Sequence, residues 1–298
     1  MKAKNWFLAA GLTLLVFFMV VLTSSIRNAH AIADLYVFGD SLSDVGNVFR
    51  TTGGMYPPNP SYYQGRYSNG RVWVEYLSDR LDLSSPPSNN FAWGGATTGS
   101  NSNGYVPSLL TQVQSFIQTH PKINPDALYL LWAGANDYLQ GVSNATVPVQ
   151  NVTQAIAALA DVGAKKILVA NLPDLGQLPA RRTSANSASL SALTGTHNQS
   201  LRRSLKVLTQ KHSDLEIATL DADALYREAR SNPKAFGLTN TIAACFSGSR
   251  ACDNPDQFLF WDGIHPTTAA HRILGETAFN AMIDARMVNS GKLSHSAL

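Results

Sequence analysis

The chain has 298 residues, 45% of them hydrophobic and only 14% charged, a composition that excludes intrinsic disorder and suffices for one large core or two small ones. Lys2, Lys4 and Arg27 precede the first acidic residue, Asp34, so the 23 basic and 20 acidic residues of the whole chain become 20 of each from position 34 onward. With no net charge there and no run of Lys and Arg interleaved with aromatics, nucleic-acid binding is not expected.

Lys2 and Lys4 stand before an uncharged apolar run of 17 residues, Trp6 to Leu22, and small-residue sites follow at Ala29-His30-Ala31 and Ala31-Ile32-Ala33. This is the pattern of a secretory signal peptide over residues 1–33, with cleavage expected after Ala33. The run is just short of a membrane span, and an uncleaved anchor is the alternative. The expected location is therefore secreted or periplasmic, or membrane-anchored if the leader stays.

The apolar run Leu35-Tyr36-Val37-Phe38 stops at Gly39 and gives way to Asp40, Ser41, Ser43 and Asp44, as a buried parallel strand stops at a sharp turn. A helical turn starting there would put Ser41 at its N-terminus, among unpaired N–H groups. Thr51 to Gln64 is rich in Gly, Pro and Tyr and reads as a long surface loop, with the length of a lid. Arg71–Leu81 has helical apolar spacing, Asn90–Trp93 is a short strand running into Gly94-Gly95, and Val106–Gln118 is again helical. Ala127–Ala133 is the strongest buried-strand signal and runs into Gly134-Ala135-Asn136-Asp137. Val149–Ala160 reads as helix, Lys166–Ala170 as strand, and Ala188–His212 as a long helix interrupted at Gly195. Leu215–Leu220 makes a fifth strand, Asp221 caps a helix through Arg230, and Pro266 opens a last helix to Ala285. Cys245 and Cys252, seven apart in a loop with Gly and Ser, are expected to pair as a disulfide in an exported chain. A zinc site would need CxxC or HxxxH spacing, which is absent.

Alternating strands and helices predict an open parallel sheet covered on both faces, within one domain from 34 to 298. Functional residues of such a sheet gather beyond the carboxyl ends of its strands. Three strands end there in Gly39-Asp40-Ser41, Gly94-Gly95 and Gly134-Ala135-Asn136, and the loop Trp261-Asp262-Gly263-Ile264-His265-Pro266 precedes the last helix. These residue types suit acyl transfer. Ser41 is a weak nucleophile that needs a base, His265 can be that base, and Asp262 lies three residues earlier to fix its tautomer. The oxyanion would be met by the N–H groups of Ser41 and Gly95 and the side-chain amide of Asn136. Asp137 reads as structural, and His120, His197, His212, His271 and His295 lack an Asp at this spacing. No GxSxG elbow occurs. The sequons at Asn144, Asn151 and Asn198 read as chance occurrences.

In FGDSLSDVGN (Ser41), NFAWGGATT (Gly95), GAND (Asn136) and WDGIHP (Asp262, His265) the chain resembles the GDSL lipase/esterase family, the SGNH hydrolases. GRYSNGRVWVEYL, NLPDLGQLP and the cysteine loop before FLFWDGIHPTTAAH are similar to its larger, plant-type branch. The resemblance spans about Leu35 to Ala285. It implies a flavodoxin-like three-layer α/β/α sandwich with a five-stranded parallel sheet. It also implies Ser41 as nucleophile, His265 as base, Asp262 as orienter, and Gly95 with Asn136 completing the oxyanion hole. The activity expected is hydrolysis of carboxylic esters of small molecules or lipids, without metal or cofactor, and a monomer is expected. Membrane contact would come only through the substrate or a retained leader. An acyltransferase or phospholipase using the same site, and an inactive ligand-binding relative, are the alternatives.

Overall fold

The first strand, β1 (Leu35–Gly39), is buried at every position but Tyr36. The computed structural model describes residues 32–85, 87–99 and 105–289, so the expected leader lies outside the described residues as far as Ala31. Around Ser41 the chain makes one helical turn that does not extend into a helix. The Asp40 carbonyl accepts the N–H groups of Ser43 and Asp44, at 3.1 Å each, and Asp40 Oδ1 caps the turn by accepting Leu42 N–H at 3.0 Å. The first helix, α1 (Asn47–Thr51), opens only after Gly46.

Helix α2 (Trp73–Arg80) follows the loop, and Glu75 reaches back from its third position to the Val72 N–H at 2.9 Å while pairing with Arg66 at 2.7 Å. Strand β2 covers only Asn89–Asn90. The ladder nevertheless runs on toward Trp93, because Phe91 N–H donates to Val37 O at 2.7 Å and Trp93 N–H to Gly39 O at 3.0 Å. Helix α3 (Leu109–Thr119) is capped by Ser108 and leads to β3 (Leu128–Trp132), all five residues of which are buried. A short helix α4 (Ala135–Leu139) and the longer α5 (Thr146–Asp161) come next, then β4 (Lys166–Ala170). Helix α6 (Ser187–Lys211) is continuous through Gly195, so that glycine does not break it. Strand β5 (Glu216–Leu220) precedes α7 (Ala222–Ser231), whose N-terminus Asp221 caps by accepting from Ala224 N–H at 3.0 Å.

The five strands are all parallel in the order β2-β1-β3-β4-β5. That is the flavodoxin-like order, with its switch point between β1 and β3. Helices on both faces take water away from both sides of the central strands, which is why β1, β3 and β4 read as apolar runs rather than alternating ones. Each Leu of β3, at 0% exposure, contributes roughly 1.5–3 kcal/mol of burial.

After α7 come β6 (Asn240–Ala244), the hairpin strands β7 (Phe246–Ser247) and β8 (Arg250–Ala251), and β9 (Phe258–Phe260). The Cys245–Cys252 disulfide closes that hairpin, and β9 pairs with β6 in a second small sheet. The last helix, α8 (Thr268–Asp284), is not opened by Pro266. Thr267 caps it, accepting from Ala270 N–H at 3.2 Å, while Pro266 is held in a bridge to Phe260. Among the described residues no helix is long and apolar enough to cross a membrane. Asn198 is buried, and its amide exchanges hydrogen bonds with Leu172 O and N–H, so its sequon position is structural.

One stability prediction follows from α8. His271 is fully buried in its first turn and accepts the Trp73 N–H on Nδ1 at 3.3 Å. Burial, with the nearby His265 adding to it, pushes the imidazole down to about 3. The unfolded chain therefore takes up a proton below about 6.5 that the folded chain refuses, and stability is lost as pH falls. His271→Asn keeps an acceptor for Trp73 and removes the titrating site. Urea unfolding at pH 6.5 and pH 4 should show a loss smaller by about 3 kcal/mol in the variant. An equal loss in both proteins would show that His271 does not carry the acid sensitivity.

Candidate active site

The parallel register fixes what meets at the carboxyl edge. Gly39 pairs with Trp132, and Asp40 N–H donates to Trp132 O at 3.3 Å, so the Ser41 turn and the start of α4 emerge side by side. Gln112 pins the strand end from α3, accepting Gly39 N–H and donating to Gly39 O, both at 2.9 Å.

Asp44, to which no role attached in the sequence, ties the first block to the second. Its carboxylate accepts the N–H groups of Gly46 at 2.7 Å, Asn47 at 2.6 Å and Val48 at 3.3 Å, and from across the sheet that of Gly94 at 2.9 Å. Asn47 adds bonds to Asn90 O at 3.0 Å and Ala92 O at 2.7 Å. The Asp-x-Gly-Asn spacing is a turn signature, so the turn was open to sequence reasoning, whereas its tie to Gly94 was not.

The two adjacent glycines have different reasons. A Cβ on Gly94 would overlap the phenol of Tyr67, and its N–H is already engaged by Asp44. Gly95 has φ +83°, open space where a Cβ would stand, and an N–H without a partner among the described residues. Asn136, in the first turn of α4, donates through Nδ2 to Ala96 O at 2.9 Å, which orients the amide and leaves its second N–H to donate elsewhere. Asp137 accepts the N–H and hydroxyl of Thr98, at 3.0 and 2.7 Å, and so braces the same glycine turn against α4.

The loop after β9 is closed on itself. Trp261 N–H donates to His265 O at 2.8 Å, and Asp262 Oδ1 accepts the N–H groups of Ile264 at 2.8 Å and His265 at 2.7 Å. Ala180, directly after NLPDLGQLP, donates its N–H to Gly263 O at 2.9 Å, which sets that stretch beside the Trp261–Pro266 loop. From GRYSNGR, Ser68 Oγ donates to Pro266 O at 2.8 Å and Asn69 accepts Thr268 N–H at 2.9 Å.

So held, His265 spans the two other residues. Its Nδ1 lies 2.7 Å from Asp262 Oδ2 and its Nε2 lies 2.9 Å from Ser41 Oγ. With Nδ1–H donating to the carboxylate, Nε2 is left to accept from the hydroxyl. Burial pushes the Asp262 carboxyl up, but the charge of His265, its hydrogen bond and two backbone N–H groups outweigh it and bring the group down to about 2. Asp40, beneath the turn, is pushed up to about 7 by burial, with the Leu42 N–H and His265 pulling against it. This arrangement can move a proton from the Ser41 hydroxyl to His265 Nε2.

Two tyrosines complete the site that the sequence did not announce. Tyr67 lays its ring 5.2 Å from the His265 ring, and Tyr62, from the predicted surface loop, donates its hydroxyl to Asp262 Oδ2 at 2.7 Å. Tyr62 and Asp262 are 200 residues apart, and no local pattern links them.

Residues 35–278 match the GDSL-like Lipase/Acylhydrolase family. The chain is 30% identical to a phosphatidylcholine-sterol acyltransferase of Aeromonas hydrophila, over 92% of this chain and 96% of that protein. It is 30% identical to the secreted effector protein SseJ of Salmonella typhimurium, over 80% of this chain but only 61% of that protein. A GDSL lipase of Tanacetum cinerariifolium is 25% identical over 89% of this chain and 88% of its own length. A family match from Leu35 to Ala278, with three of the motif blocks at strand ends of the parallel sheet and the fourth directly after β9, means that this chain belongs to the GDSL-like lipase/acylhydrolase family and is a serine ester hydrolase.

Proposed function

We propose that the protein is an exported esterase or lipase that cleaves carboxylic acyl esters through an acyl-enzyme on Ser41. His265 takes the Ser41 proton as the hydroxyl attacks the ester carbonyl and returns it to the departing alcohol, and Asp262 holds the imidazole and its developing charge. The Ser41 and Gly95 N–H groups and the Asn136 amide receive the oxyanion. A water activated by the same imidazole then releases the acid. The observation that carries this reading is the single imidazole bridging Ser41 Oγ at 2.9 Å and Asp262 Oδ2 at 2.7 Å.

Labelling with a fluorophosphonate, which reacts only with activated serines, tests it. An adduct on Ser41 is expected, and its absence would favour a binding-only protein. The intact mass also reads the start of the exported chain. The burial of Ile32, 6% exposed, and the bond from Ala33 N–H to Asp126 O at 3.2 Å favour removal of the leader after Ala31 over removal after Ala33. Asn136→Ala should lower kcat by about 10²–10³-fold with KM little changed. An unchanged kcat removes Asn136 from the oxyanion hole.

Acyl transfer to an alcohol instead of water is the second reading, favoured by the 30% identity to the Aeromonas acyltransferase across nearly all of both chains. It uses the same acyl-enzyme. Product analysis with a phospholipid donor and a sterol present separates the two: sterol ester in excess of free acid makes the protein a transferase.

A further inference from the structure

The Asp262 carboxylate is shared between two side-chain donors. Oδ1 is taken by the N–H groups of Ile264 and His265, and Oδ2 is approached at 2.7 Å both by His265 Nδ1 and by the Tyr62 hydroxyl. We propose that Tyr62 is a positioning residue of the acyl-transfer site, whose phenol shares Oδ2 with His265 and thereby sets how strongly the imidazole holds its proton. This deepens the reading of His265 as the base and rests on it.

The phenol is built into place. Its ring meets Phe246 edge-on at 6.0 Å and Tyr67 at 6.5 Å, and Phe246 stacks at 5.2 Å on Trp261, the residue before Asp262. Phe246 N–H donates to Trp261 O at 2.6 Å, next to the disulfide at Cys245. The loop from Thr51 is thus joined to the catalytic loop by one hydrogen bond and an aromatic cluster. Burial and the adjacent Asp262 charge both push the Tyr62 phenol up, so it stays protonated and remains a donor.

A hydrogen bond to an ionised carboxylate draws charge from the oxygen that accepts it. Charge drawn from Oδ2 by the phenol is not available to the imidazolium, so Tyr62 makes His265 release its proton more readily. The other groups facing the ring remain when Tyr62 is changed. They are Asp40 below the turn and His271 in α8, each coupled to His265 by charge, together with the Tyr67 ring and the Ser41 hydroxyl.

The test is Tyr62→Phe, which keeps the ring and its contacts. The titration of His265, read by NMR of the nitrogen-15-labelled imidazole, should move up by about 0.5–1 pH unit, a three- to tenfold change in proton affinity. The acid limb of kcat/KM should move with it. A folded variant with an unmoved His265 titration overturns the proposal. If the imidazole shifts but the acid limb does not follow, the role of Tyr62 stands and His265 as base is lost. If the variant does not fold, the unsubstituted protein still decides: a downfield Tyr62 hydroxyl proton with a nuclear Overhauser contact to His265 Nδ1–H is expected. Absence of that contact overturns the proposal.

Discussion

Ser41→Ala is expected to lower kcat by about a million-fold, because nucleophile and base fail together when either is removed. The hydroxyl's hydrogen bond is to His265 Nε2 at 2.9 Å, and the turn around it is held by Asp40 and Asp44 rather than by Ser41. Deleting one oxygen from a residue 7% exposed leaves those bonds in place. Thermal unfolding should therefore change by only about 0.5–1.5 kcal/mol, the size of the one hydrogen bond lost. Steady-state hydrolysis of a chromogenic ester measures the first quantity and calorimetry the second. A stable variant that retains turnover would end the assignment of Ser41 as nucleophile.

Asp262→Asn is expected to cost about 10⁴-fold in kcat, or about 5.5 kcal/mol in the barrier. The carboxylate accepts four donors: two backbone N–H groups, His265 Nδ1–H and the Tyr62 hydroxyl. An amide has one oxygen for that work. If it stays on the backbone side, the NH₂ faces the imidazole and selects the tautomer in which Nδ1 accepts and Nε2 carries the proton. Nε2 then donates toward Ser41 and can no longer take its proton. If the amide turns over, the loop N–H groups lose their acceptor and Trp261–Pro266 loosens. Single-turnover kinetics, with the tautomer read from nitrogen-15 shifts of His265, distinguish these routes to the loss. A variant within tenfold of the parent rate would remove Asp262 from the mechanism.

Much of the fold was legible because the strands are buried on both faces. Leu128–Trp132 and Lys166–Ala170 are short apolar runs ended by turn residues, and both became strands within a residue or two of expectation. The misreadings share one cause, local rules overruled by contacts from elsewhere. Gly195 suggests a break, yet the helix it sits in packs along α5, and tertiary packing outweighs a propensity cost of about 1 kcal/mol. Pro266 suggests a helix start, but its bridge to Phe260 places it one residue before the cap.

The amino-acid order alone determined the parallel sheet, the disulfide partners, and the four motif blocks, because each is written in residues close together or in a period the backbone imposes. It also named Ser41, Asp262 and His265 as a set, since an Asp three residues before a His reports on local geometry. Only the tertiary structure decided that Gly94 is held by Asp44 while Gly95 keeps its N–H open, that Ala180 bears on the Trp261–Pro266 loop, and that Tyr62 reaches Asp262 across 200 residues. Those contacts depend on where loops from different strand ends come to rest, and no periodicity along the chain encodes the distance between them.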